Sequence, residues 1–314
     1  MEEKGKVCVT GGTGYVASWL IMRLLQHGYS VNTTIRSPTA GSRKDISFLT
    51  NLPKASEKLH VFNADMDDPD SFGPAIEGCV GVFHVAHPVD FQNIETEETI
   101  TDRSVRATLG ILRACLDSKT VKRVLYTSSA STVTLNDHKG GSRDDVLLDE
   151  ATWSDLDYVR SSNMFGASYC ISKTVTERVA LEFGARHCLD VVSVVPSWIH
   201  GPFICPGLPG SVRSSLAVFM DDVASAHIFL FEYPEAKGRY ICSAVEITID
   251  ELSELVSKKF PEYNLSRPES LVDRSARIMS LSSKKLLDAG FKYKYGAEEM
   301  FNDAIDCCKQ KGFL

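Results

Sequence analysis

Short runs rich in apolar and β-branched residues alternate with longer stretches of helical periodicity along much of the chain. The runs that predict buried β-strands are residues 7–10, 30–35, 59–65, 80–86, 123–127 and 191–195. Helical periodicity follows the first run to about His27-Gly28 and predicts two more helices at about residues 97–118 and 169–187. Because strands that alternate with helices are joined by right-handed crossovers, the pattern predicts an α/β fold with a doubly wound parallel sheet of the Rossmann type.

The ends of four predicted strands point to the ligand side of this sheet. Those ends are at Asp65, Ala86, Thr127 and Pro196. Ligands of doubly wound sheets bind in the crevice at the carboxyl ends of the strands, so we expect these four residues to rim one crevice.

After Pro196 the pattern changes to short segments with Gly and Pro, which favours a smaller C-terminal substrate lobe. We therefore predict a Rossmann domain at residues 1–195. Residues 196–314 are predicted to form a substrate-binding lobe that is not an independent domain.

A glycine turn follows the first predicted strand directly. Gly11 and Gly14 allow close approach of the backbone to a pyrophosphate at the positive N-terminus of the first helix. Ala17 takes the position where a small residue lets the helix pack on the strand. Because strand, glycine turn and helix occur in this order, the turn predicts a dinucleotide site and not merely a tight loop.

Arg36 stands at the end of the second predicted strand, where NAD-dependent enzymes of this fold carry an acid for the ribose 2′-hydroxyl. A guanidinium binds a 2′-phosphate through charge-assisted hydrogen bonds, whereas an acid repels it. Arg43 and Lys44 add positive charge in the next loop. The cofactor predicted from these charges is NADPH/NADP.

The candidate catalytic residues are Ser129, after the fifth predicted strand, and Tyr169 with Lys173 on the helix about forty residues later. Residues four apart share one face of a helix. Tyr233 and Lys237 repeat the spacing, but a proline lies between them and no strand-end serine precedes them, so we interpret that pair as chance. We expect Tyr169 to donate a proton to a ketone oxygen during hydride transfer, and Ser129 to hydrogen-bond that oxygen. Lys173, together with an oxidised nicotinamide, is expected to favour the Tyr169 phenolate and to hold the nicotinamide ribose.

Composition and charge argue against several other kinds of partner and site. The 314 residues are 43% hydrophobic, which is enough for one large core. A net charge of −7 argues against nucleic acid or an anionic membrane surface as the main partner. No apolar run is long enough for a signal peptide or a membrane span, so a cytoplasmic protein is expected. The nine cysteines, with no Cys-x-x-Cys pair, predict reduced and mostly buried thiols and no metal site.

The motifs together resemble the extended short-chain dehydrogenase/reductases: Thr10-Gly11-x-x-Gly14-x-x-Ala17, Arg36, Asp65, Ser129 and Tyr169-x-x-x-Lys173. Residues 29–36, 119–123 and 303–314 resemble the plant dihydroflavonol 4-reductase group and, within it, the vestitone reductase branch. The resemblance covers nearly the whole chain. It implies an NADPH-dependent reductase of a flavonoid, isoflavonoid or similar aromatic ketone, and says nothing of the oligomeric state.

The resemblance also implies site residues by position, with Ser129, Tyr169 and Lys173 as the catalytic set. The implied cofactor contacts are Gly11, Gly14, Tyr15, Val16, Arg36, Lys44, Asp65, Met66, Val85, Ala86, His87, Thr127, Tyr169, Lys173, Pro196 and Ser211. The implied substrate contacts are His87 and Thr134.

Several positions depart from this group. Thr134 stands where dihydroflavonol reductases carry asparagine or aspartate, His87 where relatives carry a small hydroxyl residue, and His200 where they carry an aliphatic one. Between Met220 and Asp221 the group has a further stretch that closes the substrate pocket and includes a strand ending in Val-His-x-Asp-Asp. Either the protein is genuinely shortened there, with a damaged or wide pocket, or residues of the natural protein are absent from this sequence.

Two other functions remain open from the sequence. One is an oxidoreductase of the same fold acting on an alkaloid or a hydroxycinnamoyl thioester, including in the oxidising direction. The other is a non-catalytic NADP-binding sensor, which the intact Ser129, Tyr169 and Lys173 disfavour.

Overall fold

A computed structural model gives the fold of most of the chain. It describes residues 4–36, 45–88, 94–136, 146–162, 164, 166–210, 212, 218–245, 251, 254, 257–259 and 279–314. Two of the predicted cofactor contacts, Lys44 and Ser211, and the neighbouring Arg43 lie outside the described residues.

The strands and helices are numbered in chain order over the described residues. The strands are β1 (Lys6–Val9), β2 (Ser30–Ile35), β3 (Leu59–Asn63), β4 (Gly81–His84), β5 (Arg123–Thr127), β6 (Val146–Leu148), β7 (Val191–Pro196), β8 (Ile199–His200), β9 (Val218–Phe219), β10 (Gly238–Cys242) and β11 (Met279–Leu281). The helices are α1 (Tyr15–Gln26), α2 (Ser47–Thr50), α3 (Ala55–Lys58), α4 (Gly73–Ile76), α5 (Glu97–Ser118), α6 (Leu156–Ser162), α7 (Ala167–His187), α8 (Met220–Glu232), α9 (Lys284–Asp288) and α10 (Ala297–Gln310).

Over the described residues, seven strands form one parallel sheet in the order β10-β7-β5-β4-β1-β2-β3. β1 pairs with both β2 and β4, so Val7 lies between Val31 and Gly81 in the register. The strand order runs outward in one direction from β1 to β3 and in the other from β4 to β10. The reversal between β1 and β4 is the switch point at which doubly wound sheets bind their ligands.

Alternating side chains of the central strands bury the two faces of the sheet. Val7 and Val9 of β1 pack with α1 and α8 on one face, whereas Cys8 packs with α5 and α7 on the other. All three are fully buried, as expected of a parallel strand that is covered on both sides. The predicted Rossmann-type fold is therefore confirmed.

The sequence pattern located most elements of this sheet. The predictions at 30–35, 97–118 and 123–127 match β2, α5 and β5 at both ends, and the other predicted strands and helices differ by a few residues. The pattern missed β10, which pairs with β7 and forms the edge of the main sheet. Residues after Pro196 thus also contribute a strand to the main sheet, and both the division at residue 195 and the substrate lobe stay predictions.

Asp221 and Asp222, which follow the position where the resembling group has a further stretch, lie in the first turn of α8 and are buried. Asp221 accepts a hydrogen bond from Trp19 Nε1 at 3.0 Å and forms a salt bridge with Arg23, both on α1. Asp222 accepts the backbone N–H of Lys294 at 3.1 Å. The two aspartates therefore fasten α8 to α1 and to the segment before α10.

The cysteine thiols are free, and seven of the nine are buried. Cys307 and Cys308 lie on α10. Across the described ranges no three His, Cys, Asp or Glu side chains are arranged to hold a metal ion. No helix in the described part of the chain is both long and apolar enough to cross a membrane.

Candidate active site

A cleft of about 860 Å³ opens at the carboxyl ends of β1, β4, β5 and β7. The structure brings most of the predicted site residues to its walls. They are Gly11, Gly14, Tyr15, Val16, Arg36, Met66, Val85, Ala86, His87, Thr127, Ser129, Thr134, Tyr169, Lys173 and Pro196. Asp65 is the exception among the described predictions, because its neighbours Ala64 and Met66 line the cleft and it does not. Its carboxylate accepts the backbone N–H of Asp67 at 3.0 Å.

The glycine turn forms one end of the cleft. Gly11 has a φ of +73°, and a Cβ atom there would lie 3.1 Å from the Cβ of Ala86, so the turn requires glycine on both grounds. Gly14 is the N-cap of α1 and supplies no side-chain hydrogen bond to the helix. The first N–H groups of α1 and the positive end of its dipole thus face a cleft wall that admits an anion, as a pyrophosphate site requires.

Thr10, just before this turn, joins the ends of β1 and β4. Its hydroxyl oxygen accepts the backbone N–H groups of Val85 and Ala86, each at 3.0 Å. Its proton is left for Nδ1 of His84 at 3.0 Å, so Nε2 of His84 donates to Thr108 at 2.9 Å. Burial lowers the pKa of His84 to about 3, so the imidazole that links the Thr10 and Thr108 hydroxyls stays neutral. Sequence reasoning missed His84 because it reads as an ordinary strand residue.

Arg36 follows β2 directly and is exposed at the same end of the cleft as the glycine turn. The strand register places the end of β2 beside the end of β1, because Val9 of β1 pairs with Thr33. The guanidinium is thus on the wall where a dinucleotide fold holds the adenosine ribose.

The three candidate catalytic residues meet in the middle of the cleft. Tyr169 lies in the first turn of α7 and shares a side-chain hydrogen bond with Ser129, two residues after β5. Lys173, one turn further along α7, donates to the backbone carbonyl of Thr127 at 2.7 Å. The backbone N–H and the hydroxyl of Ser131 both donate to the Ser129 oxygen, at 3.2 and 3.0 Å. The Ser129 proton is therefore left to point toward Tyr169.

The pKa of Tyr169 is raised, whereas the sequence predicted that Lys173 would favour the phenolate. Burial raises the pKa of Tyr169 to about 12, and the hydrogen bond from Ser129 lowers it only in part. Burial outweighs this lowering, so the depressed pKa expected for Tyr169 is not found in the protein alone. A tyrosine that stays protonated at neutral pH is ready to act as an acid, which suits reduction of a ketone.

Lys173 is almost fully buried, and burial lowers its pKa to about 7, while the nearby Glu177 carboxylate raises it. Its Nζ lies 5.2 Å from the centre of the Tyr126 ring. The Lys173 side chain thus lies between α7 and the carboxyl end of β5. Its ammonium group loses a proton near neutral pH.

We predict that Lys173→Met stabilises the folded protein relative to the wild type, and that the gain in stability is largest at pH 7 and below. The folded pKa of Lys173 lies below the unfolded value, so the unfolded chain binds more protons between pH 7 and 10.5 and wild-type stability rises with pH across that window. The variant loses this dependence. Melting temperatures at pH 7 and 9.5 should show the variant-minus-wild-type difference falling by about 2 °C or more as pH rises.

Lys237→Met is the matched control, because Lys237 is exposed and has the same spacing from a tyrosine. The same pH dependence in both variants would contradict the assignment of the effect to buried Lys173.

A buried ion pair behind the catalytic residues was not predicted. Glu177, on the same face of α7 as Lys173, pairs with Arg239 of β10 at 3.0 Å, and neither is more than 5% exposed. Glu177 also accepts the hydroxyls of Ser128 and Ser193 at 2.7 and 2.6 Å. The pair ties α7 to three strands next to Ser129. No local pattern could find it, because Arg239 is on a strand that the sequence did not reveal.

Much of the remaining cleft lining is apolar and was also missed. The apolar residues are Leu135, Met164, Cys170, Trp198, Ile199, Cys205, Pro209 and Leu281. Leu281 reaches the cleft on β11, which pairs with β6, more than a hundred residues earlier in the chain. Such a wall suits an aromatic or aliphatic ligand and depends on pairings of distant segments that periodicity does not show.

Of the three residues that depart from the resembling group, two lie in the cleft and one does not. His87 and Thr134 line the cleft, and the edge of one ring of the His87–Tyr169 pair meets the face of the other at 5.7 Å. His200 is buried outside the cleft lining, its ring 4.6 Å from that of Phe301, and burial lowers its pKa to about 4. His200 is therefore a packed structural histidine.

Comparison with known proteins identifies the family. The model of the NAD dependent epimerase/dehydratase family matches residues 7–232. The chain belongs to this family. The predicted membership of the extended short-chain dehydrogenase/reductases is thus confirmed, the protein is an oxidoreductase, and the expected nicotinamide cofactor is confirmed.

Among named relatives, vestitone reductase from Medicago sativa is 51% identical over 330 residues, covering 100% of this chain and 99% of the relative. Protein BRI1-5 ENHANCED 1 from Arabidopsis thaliana is 52% identical over 100% of this chain and 91% of its own length. Noscapine synthase SDR1 from Papaver somniferum is 46% identical (100% and 95% covered), and a dihydroflavonol 4-reductase from Callistephus chinensis 43% (98% and 87%). The comparison with vestitone reductase spans 330 residues against 314 here, so that relative has residues that this chain lacks.

Solved structures agree with the fold. The crystal structure of vestitone reductase from alfalfa matches with a TM-score of 0.85 at 49% identity and covers 99% of this chain and 100% of that chain. Yeast Gre2 complexed with NADPH matches with a TM-score of 0.81 over 98% and 100% of the two chains, at an identity of 23% that shows the fold alone.

Proposed function

We propose that the protein is an NADPH-dependent reductase of an aromatic ketone of the flavonoid or isoflavonoid type, with Tyr169 as proton donor. One observation carries this proposal. Ser129, Tyr169 and Lys173 line one cleft together with a glycine turn and a set of apolar side chains. The names of vestitone reductase and the dihydroflavonol 4-reductases among the relatives support the substrate class.

The chain's own residues fit a nicotinamide dinucleotide. Gly11, with its positive φ and its contact with Ala86, and the uncapped start of α1 suit the pyrophosphate. Arg36 would hold a 2′-phosphate, and Lys173 and Thr127 would hold the nicotinamide ribose; all three line the cleft. The bound cofactor in its reduced form supplies a hydride to the ketone carbon.

Tyr169 and Ser129 perform the acid step. The Tyr169 hydroxyl donates its proton to the ketone oxygen as negative charge develops there. Ser129 donates a hydrogen bond to the same oxygen, and the two donors of Ser131 hold its hydroxyl in that direction. Lys173, fixed on the Thr127 carbonyl, is the ionisable group next to Tyr169 along the α7 face and restores its proton after turnover.

We predict that Arg36→Glu reverses the cofactor preference. A charge-assisted hydrogen bond to phosphate contributes roughly 1.5–3 kcal/mol, and a carboxylate in its place repels the phosphate. The Kd for NADPH should therefore rise at least about tenfold, whereas that for NADH changes little. Quenching of protein fluorescence by each cofactor measures both constants.

Arg186→Glu gives the same change of charge on the exposed end of α7 and serves as the control. Equal loss of NADPH and NADH affinity in Arg36→Glu would contradict the assignment of Arg36 to the 2′-phosphate.

A second candidate has support from one relative, noscapine synthase SDR1. An enzyme of this kind would oxidise a hydroxyl group of an alkaloid with NADP in the same cleft, with Tyr169 as base. The two candidates separate when the protein is given vestitone or a dihydroflavonol with NADPH in one assay and an alkaloid alcohol or a hydroxycinnamoyl thioester with the matching cofactor in another. Turnover confined to the flavonoid-type ketones supports the first candidate, and turnover confined to the others overturns it.

A further inference from the structure

His87 lines the cleft immediately after β4, next to the catalytic tyrosine. Its ring and the Tyr169 ring lie 5.7 Å apart, at an angle of 85°. An aromatic pair in this arrangement holds both rings in place. A substrate that binds at Tyr169 therefore shares this part of the cleft with the imidazole.

A short chain of hydrogen bonds sets the tautomer of His87. The Ser104 hydroxyl donates to the carbonyl of Ile100 at 2.7 Å, and the Ser172 hydroxyl donates to Ser104 at 3.1 Å. Each hydroxyl has one proton, so Ser172 can only accept from His87 Nε2, which lies 3.4 Å away. Nε2 of His87 therefore carries the proton.

His87 is neutral in this setting. Burial, the charge of Lys173 and the neighbouring His84 all lower the pKa of His87 well below its usual value. A neutral imidazole with its proton on Nε2 has an unprotonated Nδ1, which is a hydrogen-bond acceptor. The two nitrogens lie on different sides of the ring, so Nδ1 is on the side away from Ser172.

We propose that His87 determines specificity by accepting, at Nδ1, a hydrogen bond from a hydroxyl group on the carbon next to the reacting ketone. The inference rests on the proposed function and deepens it. Tyr169 and Ser129 act as donors to the ketone oxygen, so the cleft supplies donors for the carbonyl and an acceptor for the adjacent hydroxyl. A ketone of this α-hydroxy class leaves no buried acceptor unpaired, whereas its deoxy analogue does.

A matched pair of ketones tests this directly. A dihydroflavonol has the α-hydroxyl and the corresponding flavanone lacks it. Isothermal titration of each into the protein saturated with NADP gives a ratio of dissociation constants. We expect the wild type to favour the dihydroflavonol by about tenfold and His87→Phe, which keeps the ring contact without the acceptor, to lose that preference.

His87→Asn is the conservative variant, because its amide oxygen takes the place of Nδ1, and it should retain most of the preference. A preference unchanged in His87→Phe, or affinity for both ketones reduced equally, overturns the proposal and leaves His87 a packing residue.

The tautomer has its own measurement, which needs no turnover. Long-range ¹⁵N–¹H spectra of histidine-labelled protein, with the signals assigned through His87→Asn, should show Nδ1 unprotonated and Nε2 protonated from pH 6 to 8. Ser172→Ala should mix the tautomers. A proton on Nδ1, or titration of the ring in this range, overturns the proposal even if the protein reduces ketones.

The results with the two ketones, taken together with the spectra, separate this inference from the proposed function. Should the wild type bind neither ketone, the proposed substrate class and the specificity role both fail, whereas the tautomer result still stands on its own. Should it reduce both ketones equally, the proposed function holds and the specificity role fails.

Discussion

Tyr169→Phe is expected to lower the turnover of ketone by about 10²–10⁴-fold, the range for loss of a positioned acid. Phenylalanine keeps the ring that packs against His87 and removes only the hydroxyl that hydrogen-bonds with Ser129. NADPH affinity should change by less than about threefold, because the lost group acts in the transition state and contributes little to cofactor binding. Single-turnover rates and fluorescence titration measure the two quantities separately.

Tyr233→Phe is the matched control for this prediction. Tyr233 also precedes a lysine by four residues, but it follows the end of α8, where its ring stacks on Phe229 at 5.6 Å outside the cleft. This variant should retain wild-type turnover. Residual activity of the Tyr169→Phe protein above about a tenth of the wild type would show that another group donates the proton.

Glu177→Ala is expected to destabilise the fold by about 3–5 kcal/mol, the cost of leaving one member of a buried ion pair uncompensated. The carboxylate is fully buried and satisfies Arg239 together with the hydroxyls of Ser128 and Ser193. Since domains are stable by about 5–15 kcal/mol, such a loss is a large part of the total. The midpoint of urea unfolding, with the slope fixed by the wild type, measures it.

Glu182→Ala, which removes an exposed carboxylate paired with Arg186 on the same helix, should cost less than about 1 kcal/mol. In the double variant Glu177→Leu, Arg239→Leu, part of the loss should return, because neither charge is then buried alone. A loss in Glu177→Ala no larger than that in Glu182→Ala would contradict a structural role for the pair.

The sequence predicted the centre of the fold well, and the reason is physical. Strands such as β2 and β5 are buried on both faces and rich in β-branched or aromatic residues, so they stand out as short β-favouring runs. Helix α5 is long enough to show its period. β10 was missed because Arg239 and Tyr240 interrupt its apolar pattern, and the partners that bury them lie on distant segments.

The candidate site shows the same division. Gly11, Ser129, Tyr169 and Lys173 stand at strand ends or at helical spacing, so local rules locate them. The apolar wall with Leu281 depends on tertiary pairing, and the Glu177–Arg239 pair joins positions 62 residues apart. The pKa of Tyr169 could not be predicted either, because it is set by how deeply α7 buries the phenol.

In the proposed reaction Tyr169 donates the proton while NADPH reduces an aromatic ketone. The most direct test follows NADPH oxidation by absorbance, together with the alcohol formed, when intact-mass-verified protein is mixed with vestitone or a dihydroflavonol. We expect equal amounts of NADPH consumed and alcohol formed with at least one ketone, and no more than about a hundredth of either in the Tyr169→Phe variant over the same time. Tight NADPH binding without turnover of either ketone, or equal turnover by the wild type and the variant, would contradict it.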